Sequence, residues 1–284
     1  MSTWLIGLDV DGTIVLEDES LSEGVVEAVA RVRDAGHEVT IATGRSWMAT
    51  HKFLDALEIS PEYVVCSNGA VTMRRIGEGG SATDYDRWHV ETFDPSTVLG
   101  LLQKHLPEAR YMVELASGQR LFTSHLDDWT LDGGREVTFD ELGREEVSRV
   151  VVAAPGYDEE DFRRLVEKAG LNEVSYAIGW TAWLDIAPQG VDKGTALQRV
   201  REELGRHDSD LIFVAGDGRN DIGMFEWAER VGGRAVAMGQ APEEVKAAAT
   251  EVTYSVYDGG LAKALRTIED AVGVASGSSA DSRA

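Results

Sequence analysis

The feature that constrains this chain most is a rhythm of short apolar runs. Trp4–Val10, Val39–Ala42 and Tyr63–Cys66 are β-leaning and are separated by stretches with helical spacing. The pattern resumes after Pro188 with Leu211–Ala215 and Ala235–Met238. Strand–helix–strand alternation with such short connections allows few topologies and predicts a parallel sheet covered by helices on both faces. In such a sheet the strand C-termini share one edge, where ligands bind at a topological switch point. Asp9 and Asp11 end one run, Thr43 another, and Asp217 a third, while Lys193 begins a helix facing the same edge.

The helical stretches carry their own punctuation. Ser20 and Glu23 have capping-box spacing ahead of Val25, Val29 and Val32, and Gly36 suits the position after a helix end. Helices are expected around Trp47–Leu57, from Asp192 to about Leu204, from Asp221 to Glu229, and from Pro242 to about Ala249. Gly259-Gly260 precede a last one to about Val272. Between about residues 83 and 187 the pattern changes to strand pairs separated by helices. A helix opens at Asp94-Pro95, with Pro at the first helical position. Hairpins are expected for Arg110–Leu115 with Gln119–Ser124 and for Val174–Ile178 with Ala182–Ile186. Val147–Ala154 reads as a strand, Asp158–Ala169 as a helix and Asp127–Glu146 as irregular. The predicted organisation is a discontinuous α/β core (residues 1–82 and 188–272), an inserted α+β cap (83–187) and a disordered tail (273–284).

The chain has 284 residues and a formal net charge of −23. A surface of that sign repels phosphate backbones and anionic membranes, which argues against nucleic acid or a membrane as partner. It leaves a small phosphorylated substrate open, because one cationic pocket with a metal inverts the field locally. The single cysteine, Cys66, rules out an internal disulfide and reads as a small buried hydrophobe. With no apolar run approaching ~18 residues and no basic leader, a cytoplasmic protein is expected. Oligomeric state leaves no mark in the sequence.

Three or more carboxylates at one edge repel one another unless a cation lies between them, and oxygen-only ligation favours Mg²⁺. Other motifs fail on spacing. A Walker A loop needs Gly-Lys-Thr, but the chain has Lys193-Gly194-Thr195. The third glycine of a dinucleotide fingerprint is replaced by Asp221. A cysteine phosphatase needs Arg six residues after its nucleophile, where this chain has Thr72.

Four segments resemble, in order, the motifs of the haloacid dehalogenase superfamily of phosphohydrolases. They are Asp9-Val10-Asp11-Gly12-Thr13, Ile41-Ala42-Thr43-Gly44-Arg45, Val191-Asp192-Lys193-Gly194 and Gly216-Asp217-Gly218-Arg219-Asn220-Asp221. Ser67-Asn68-Gly69-Ala70 and Ala235–Gly239 resemble its Cof-like subfamily with a type IIB cap. The resemblance implies a Rossmann-like three-layer core and Mg²⁺-dependent hydrolysis of a small phosphate monoester, such as a sugar phosphate. It further implies that Asp9 forms an aspartyl-phosphate and that Asp11 acts as general acid and then base. Thr43 and Lys193 would hold phosphoryl oxygens, with Gly12, Gly44, Arg45, Asn68 and Asn220 as further substrate contacts. Mg²⁺ would bind the Asp9 carboxylate, the Asp11 carbonyl and Asp217. Asp221 would act through metal-bound water or by orienting Lys193. A phosphomutase or phosphotransferase would share the intermediate; a non-catalytic sensor would have no need of Asp11. Trp180 and Trp183 are expected to pack the cap core.

Overall fold

The computed structural model describes residues 3–77, 81–125, 133–155, 157, 162, 164, 174–178, 183–205 and 211–277. The first half of the core holds β1 (Trp4–Leu8), α1 (Val25–Asp34), β2 (Glu38–Ile41), α2 (Trp47–Leu57) and β3 (Tyr63–Cys66). Two strands missing from the sequence reading follow, β4 (Val71–Arg75) and β5 (Tyr85–Val90). The inserted segment holds α3 (Ser96–His105), β6 (Arg110–Leu115), β7 (Arg120–Phe122), β8 (Arg135–Glu136) and α4 (Phe139–Leu142). It continues with β9 (Val147–Ala153), β10 (Val174–Ile178) and β11 (Trp183–Pro188). The chain then adds α5 (Lys193–Glu203), β12 (Leu211–Gly216), α6 (Ile222–Arg230), β13 (Arg234–Ala237), α7 (Glu243–Ala248), β14 (Glu251–Val252) and α8 (Gly260–Gly277).

The main sheet is parallel, in the order β14-β13-β12-β1-β2. β1 is buried along its whole length, as a strand covered on both faces must be. Alternation divides it: Ile6 and Leu8 pack with α1 and α8, while Leu5 packs with α5 and α6. β3 joins β2 through a parallel bridge between Ala42 and Val65, and β4 and β5 extend that edge antiparallel. Tyr85, expected in the insertion, instead stacks on Trp47 of α2 with ring centroids 5.0 Å apart. The inserted sheet therefore begins only after β5, where Phe93 bridges to Val147.

That sheet runs β10-β11-β9-β6-β7-β8, antiparallel except for the β7–β8 pair. One face buries Tyr111, Val113, Val150, Val152, Leu184 and Ile186 against Val98, Leu99 and Leu102 of α3. The opposite face turns toward the core's strand ends.

Several expectations need correction. α1 starts at Val25 behind Gly24 (φ 70°) with no side-chain cap. Ser20 is instead tied to Asp18 Oδ1, and bridges from Val15 to Asp11 and Leu21 hold residues 11–21 as a loop. Pro95 takes the N-cap position of α3 rather than its first turn. The stretch read as irregular contains β8 and α4, the latter opened by a Thr138–Glu141 capping box. α8 continues to Gly277, through the first five residues of the expected tail. Apart from residues 162 and 164, the expected helix over 158–169 lies outside the described residues, as do residues 126–132, Trp180 and residues 278–284. Trp183 packs beside Met112, Phe122, Val151 and Ala153, on the face turned from the α3-covered core.

Candidate active site

The ends of β1 and β12 place two carboxylates side by side. The Asp9 N–H donates to Ala215 O at 3.0 Å, continuing the ladder one residue past β1, and Asp217 follows β12 directly. Lys193 enters from the first turn of α5, whose N-cap Asp192 accepts from Thr195 N–H at 2.8 Å. The Lys193 ammonium is wholly buried and donates to Asp9 Oδ1 at 2.6 Å and to Asp221 Oδ1 at 2.7 Å. Asp221 Oδ2 accepts the N–H groups of Asp217 and Gly218, each at 2.9 Å. Asp221 thus fixes both the cation and the loop that carries Asp217.

Gly12 and Gln240 complete this corner. Gly12 has φ +68°, and a Cβ there would lie 2.1 Å from Asp217 Oδ2, so only glycine lets the two loops approach. Gln240 Nε2 donates to Gly12 O at 2.6 Å and to Asp217 Oδ2 at 3.2 Å. Its own Oε1 accepts from Val256 N–H at 2.9 Å. Sequence reasoning missed Gln240, because a lone glutamine after a strand carries no signal of its own.

The electrostatics show a missing positive charge. Burial, with the neighbouring Asp221 carboxylate, holds Asp9 well above the usual carboxylate range despite its ion pair with Lys193. Asp217 is pushed up to about 7, first by burial and then by Asp221. For Lys193 burial pulls the other way, but the carboxylates of Asp221 and Asp9 outweigh it and raise the ammonium. One ammonium, bonded to Asp9 and Asp221, faces three buried carboxylates, each offering one oxygen within 4.8 Å of the others. This all-oxygen, anion-rich set fits a small hard divalent cation.

Asp11 lies outside that cluster. Its carboxylate is gripped by Arg45, through Nη2 to Oδ1 at 2.5 Å and Nε to Oδ2 at 2.9 Å. Arg45 Nη1 also donates to Glu19 Oε1 at 2.5 Å, and Glu19 takes a second bond from Lys52. Thr43 is fully buried, and its Oγ1 accepts the Arg45 N–H at 3.1 Å. Gly44 lies under Asn68, whose Oδ1 would be 3.0 Å from a Cβ there. Asn68 accepts from Asn220 Nδ2 at 3.0 Å and donates to Asp185 Oδ2 of the inserted sheet at 2.7 Å. Both Ser67 and Asn68 hold positive φ (50° and 52°), a strain that aims Asn68 between the two sheets. Asp185 was also missed, though a signal existed: it alternates with the buried Leu184 and Ile186 and so faces away from the apolar core. Cys66 is buried and pushed up to about 12 by that burial, which leaves no thiolate for chemistry.

A parallel α/β core with a buried lysine–carboxylate centre at its strand ends, roofed by an inserted sheet, defines a capped, Rossmann-like enzyme. The chain belongs to the haloacid dehalogenase-like hydrolase family, whose profile matches residues 6–93 and 117–265. It is 30% identical over 272 residues to the pyridoxal phosphate phosphatase YbhA of Escherichia coli, covering 89% of this chain and 93% of that one. It is 25% identical over 276 residues to the 5-amino-6-(5-phospho-D-ribitylamino)uracil phosphatase YitU of Bacillus subtilis, covering 93% and 96%. Among solved structures, the subclass IIB sugar phosphatase BT4131 superposes with a TM-score of 0.76 at 21% identity, covering 94% of this chain and 99% of that one. Among the described residues, no helix is long and apolar enough to cross a membrane.

Proposed function

We propose that this protein is a Mg²⁺-dependent phosphatase that hydrolyses a small phosphate monoester through a phosphorylated Asp9. The observation that carries the reading is the buried ammonium of Lys193 bridging Asp9 and Asp221 beside Asp217. A structural ion pair needs one carboxylate, whereas this centre gathers three, an excess of negative charge that a bound cation offsets in place of protons. Asp9 and Asp217, with the Asp11 carbonyl, are the residues to hold that cation. Bound there, Mg²⁺ supplies the positive charge that lets a phosphate dianion approach the carboxylates.

The remaining steps belong to the chain's own groups. A carboxylate oxygen of Asp9 attacks phosphorus and forms an O–P bond while the ester O–P bond breaks. Asp11 gives its proton to the departing oxygen, then takes one from the water that attacks the same phosphorus, releasing phosphate and restoring Asp9. Lys193 and Thr43 bind phosphoryl oxygens, with Gly12, Gly44 and Asn220 shaping the cradle. Arg45 holds Asp11 in place, and we assign it a contact to the substrate as well. Asp221 acts by orienting Lys193, since both its oxygens are already engaged.

The names of the relatives suggest which esters to try. A phosphate-release screen with Mg²⁺ should include pyridoxal phosphate, phosphorylated ribitol compounds and hexose phosphates. Release of free phosphate from at least one of these, abolished by EDTA and by Asp9→Asn, is the expected result. Transfer of phosphate to an acceptor with no free phosphate would overturn hydrolysis in favour of phosphotransfer.

A further inference from the structure

The loop of residues 11–21 grips one guanidinium from both of its ends. Asp11, at the base of the loop, accepts from Arg45 Nη2 at 2.5 Å and from Nε at 2.9 Å. Glu19, at the tip, accepts from Nη1 of the same arginine on Oε1 at 2.5 Å, and its Oε2 accepts from Lys52 Nζ. Arg45 and Lys52 both lie over the ring of the buried Phe53, 5.1 Å and 5.0 Å from its centroid. Phe53 of α2 thus supports a chain of charges in the order Lys52, Glu19, Arg45, Asp11. Lys52 first, and then Arg45, holds the Glu19 carboxyl below the usual carboxylate range.

The backbone at Glu19 makes this choice of residue informative. Glu19 has φ +64°, in the left-handed region that glycine or asparagine enters most readily. Leu16 closes the turn around it: the Leu16 N–H donates to Ser20 O at 2.9 Å, and Leu16 O accepts the Glu19 N–H at 3.0 Å. A turn of this shape suits glycine, yet the chain carries a glutamate there. Stability does not account for it, because exposed ion pairs contribute less than such backbone strain costs. What the glutamate does is hold Arg45, and Asp11 depends on that hold. The Asp11 side chain is exposed and lies outside the buried carboxylate centre. Among the described residues, all of its carboxylate hydrogen bonds come from Arg45. A planar guanidinium anchored on its third side by Glu19 presents its fork to Asp11 in one orientation.

We propose that Glu19 is a positioning residue for proton transfer, keeping the Asp11 carboxylate, through Arg45, within reach of the departing oxygen and then of the attacking water. The inference rests on the phosphatase reading above. It divides the reaction in two. Attack of Asp9 on phosphorus draws on Lys193 and the cation and is independent of Glu19. Both proton transfers through Asp11 depend on Glu19, since a proton donor must lie within hydrogen-bond reach of its acceptor. A misplacement of about 1 Å costs on the order of 10²-fold in such a step.

The test uses p-nitrophenyl phosphate, whose leaving group needs little protonation, and two alkyl esters that need a proton, ribitol 5-phosphate and glucose 6-phosphate. In Glu19→Gln, checked for folding by its melting curve, turnover of the faster alkyl ester at saturating Mg²⁺ should fall by roughly 10- to 100-fold. Release of the first p-nitrophenolate per site, followed by stopped flow, should stay within about threefold of wild type. Later turnovers should slow, because water attack still needs Asp11 as base, so the trace shows a burst. Glu19→Gly removes the carboxylate and the backbone strain together and should show the same split. Recovery of turnover in Glu19→Gly assigns the effect to the backbone and overturns the proposal. Equal slowing of first and later turnovers overturns it as well, as does alkyl-ester turnover within twofold of wild type in both variants. Those outcomes strike only this inference, whereas a wild type that releases phosphate from none of the three esters strikes the phosphatase reading itself.

Discussion

At the scale of single residues, the site is organised by what each side chain denies to its neighbour. Gly12 leaves room for the Asp217 carboxylate, and Gln240 ties the two together. Gly12→Ala must move Asp217 or leave the left-handed region, so it should cost more than about 1 kcal/mol of stability. It should also raise the Mg²⁺ concentration needed for half-maximal activity; a variant with wild-type melting and Mg²⁺ response would show that the crowding is harmless. Gln240→Ala removes a hydrogen bond to the Asp217 carboxylate without a steric penalty. Loss of such a supporting contact typically weakens a metal site by roughly 10- to 100-fold, measurable as a shifted Mg²⁺ activation curve at constant substrate.

At the scale of elements, Asp192 is the hinge between sequence and chemistry. It caps α5, and the residue it positions next is Lys193. Asp192→Ala should destabilise the protein by about 1 kcal/mol in chemical denaturation, the usual cost of a lost N-cap. It should also lower turnover, because the ammonium is delivered from that first turn; unchanged activity would mean that burial alone holds Lys193. This cap was legible in the sequence, as were the central strands and the carboxylates at their ends. An apolar run stopped by Asp or Gly reports its own boundary. β4 and β5 were not legible. Arg74 and Arg75 end β4, and Asp86 and Arg87 interrupt β5, the edge strand of that sheet, so neither strand shows a sustained apolar pattern. The start of α1 was misplaced because Ser20 satisfies a local turn with Asp18, the competing use of a capping residue. Gln240, Glu19 and the Asp185–Asn68 contact depend on partners far away in the chain, which no local spacing encodes.

At the scale of the molecule, the carboxylate centre ties stability to both pH and metal. Asp217 keeps its proton up to about pH 7 in the folded chain but loses it near ~3.9 when unfolded. The folded state therefore binds more protons between those values, so stability in EDTA should fall as pH rises from about 4 to about 7. Asp9, raised in the same direction, adds to the effect. A divalent cation replaces those protons. Melting curves at pH 8 should show Mg²⁺ stabilising the protein by about 2.7 kcal/mol at a hundred times its dissociation constant, and by less at pH 5 for the same Mg²⁺ concentration. A melting temperature indifferent to Mg²⁺ at pH 8 would mean that the buried carboxylates do not form a metal site.

The measurement closest to the central claim is the mass of the protein caught between its two half-reactions. Asp11→Asn keeps the shape of the side chain but cannot give or take a proton, a loss worth ~10²–10⁴-fold in turnover. p-Nitrophenol leaves with little help, so Asp9 in this variant should still be phosphorylated while hydrolysis becomes slow. Mixed with p-nitrophenyl phosphate and Mg²⁺, Asp11→Asn should gain the mass of one phosphoryl group, located on Asp9 by peptide mapping. Asp9→Asn should gain none and release no phosphate. If Asp9→Asn still turns over, or the added phosphate maps to another residue, the aspartyl-phosphate account of this site is contradicted.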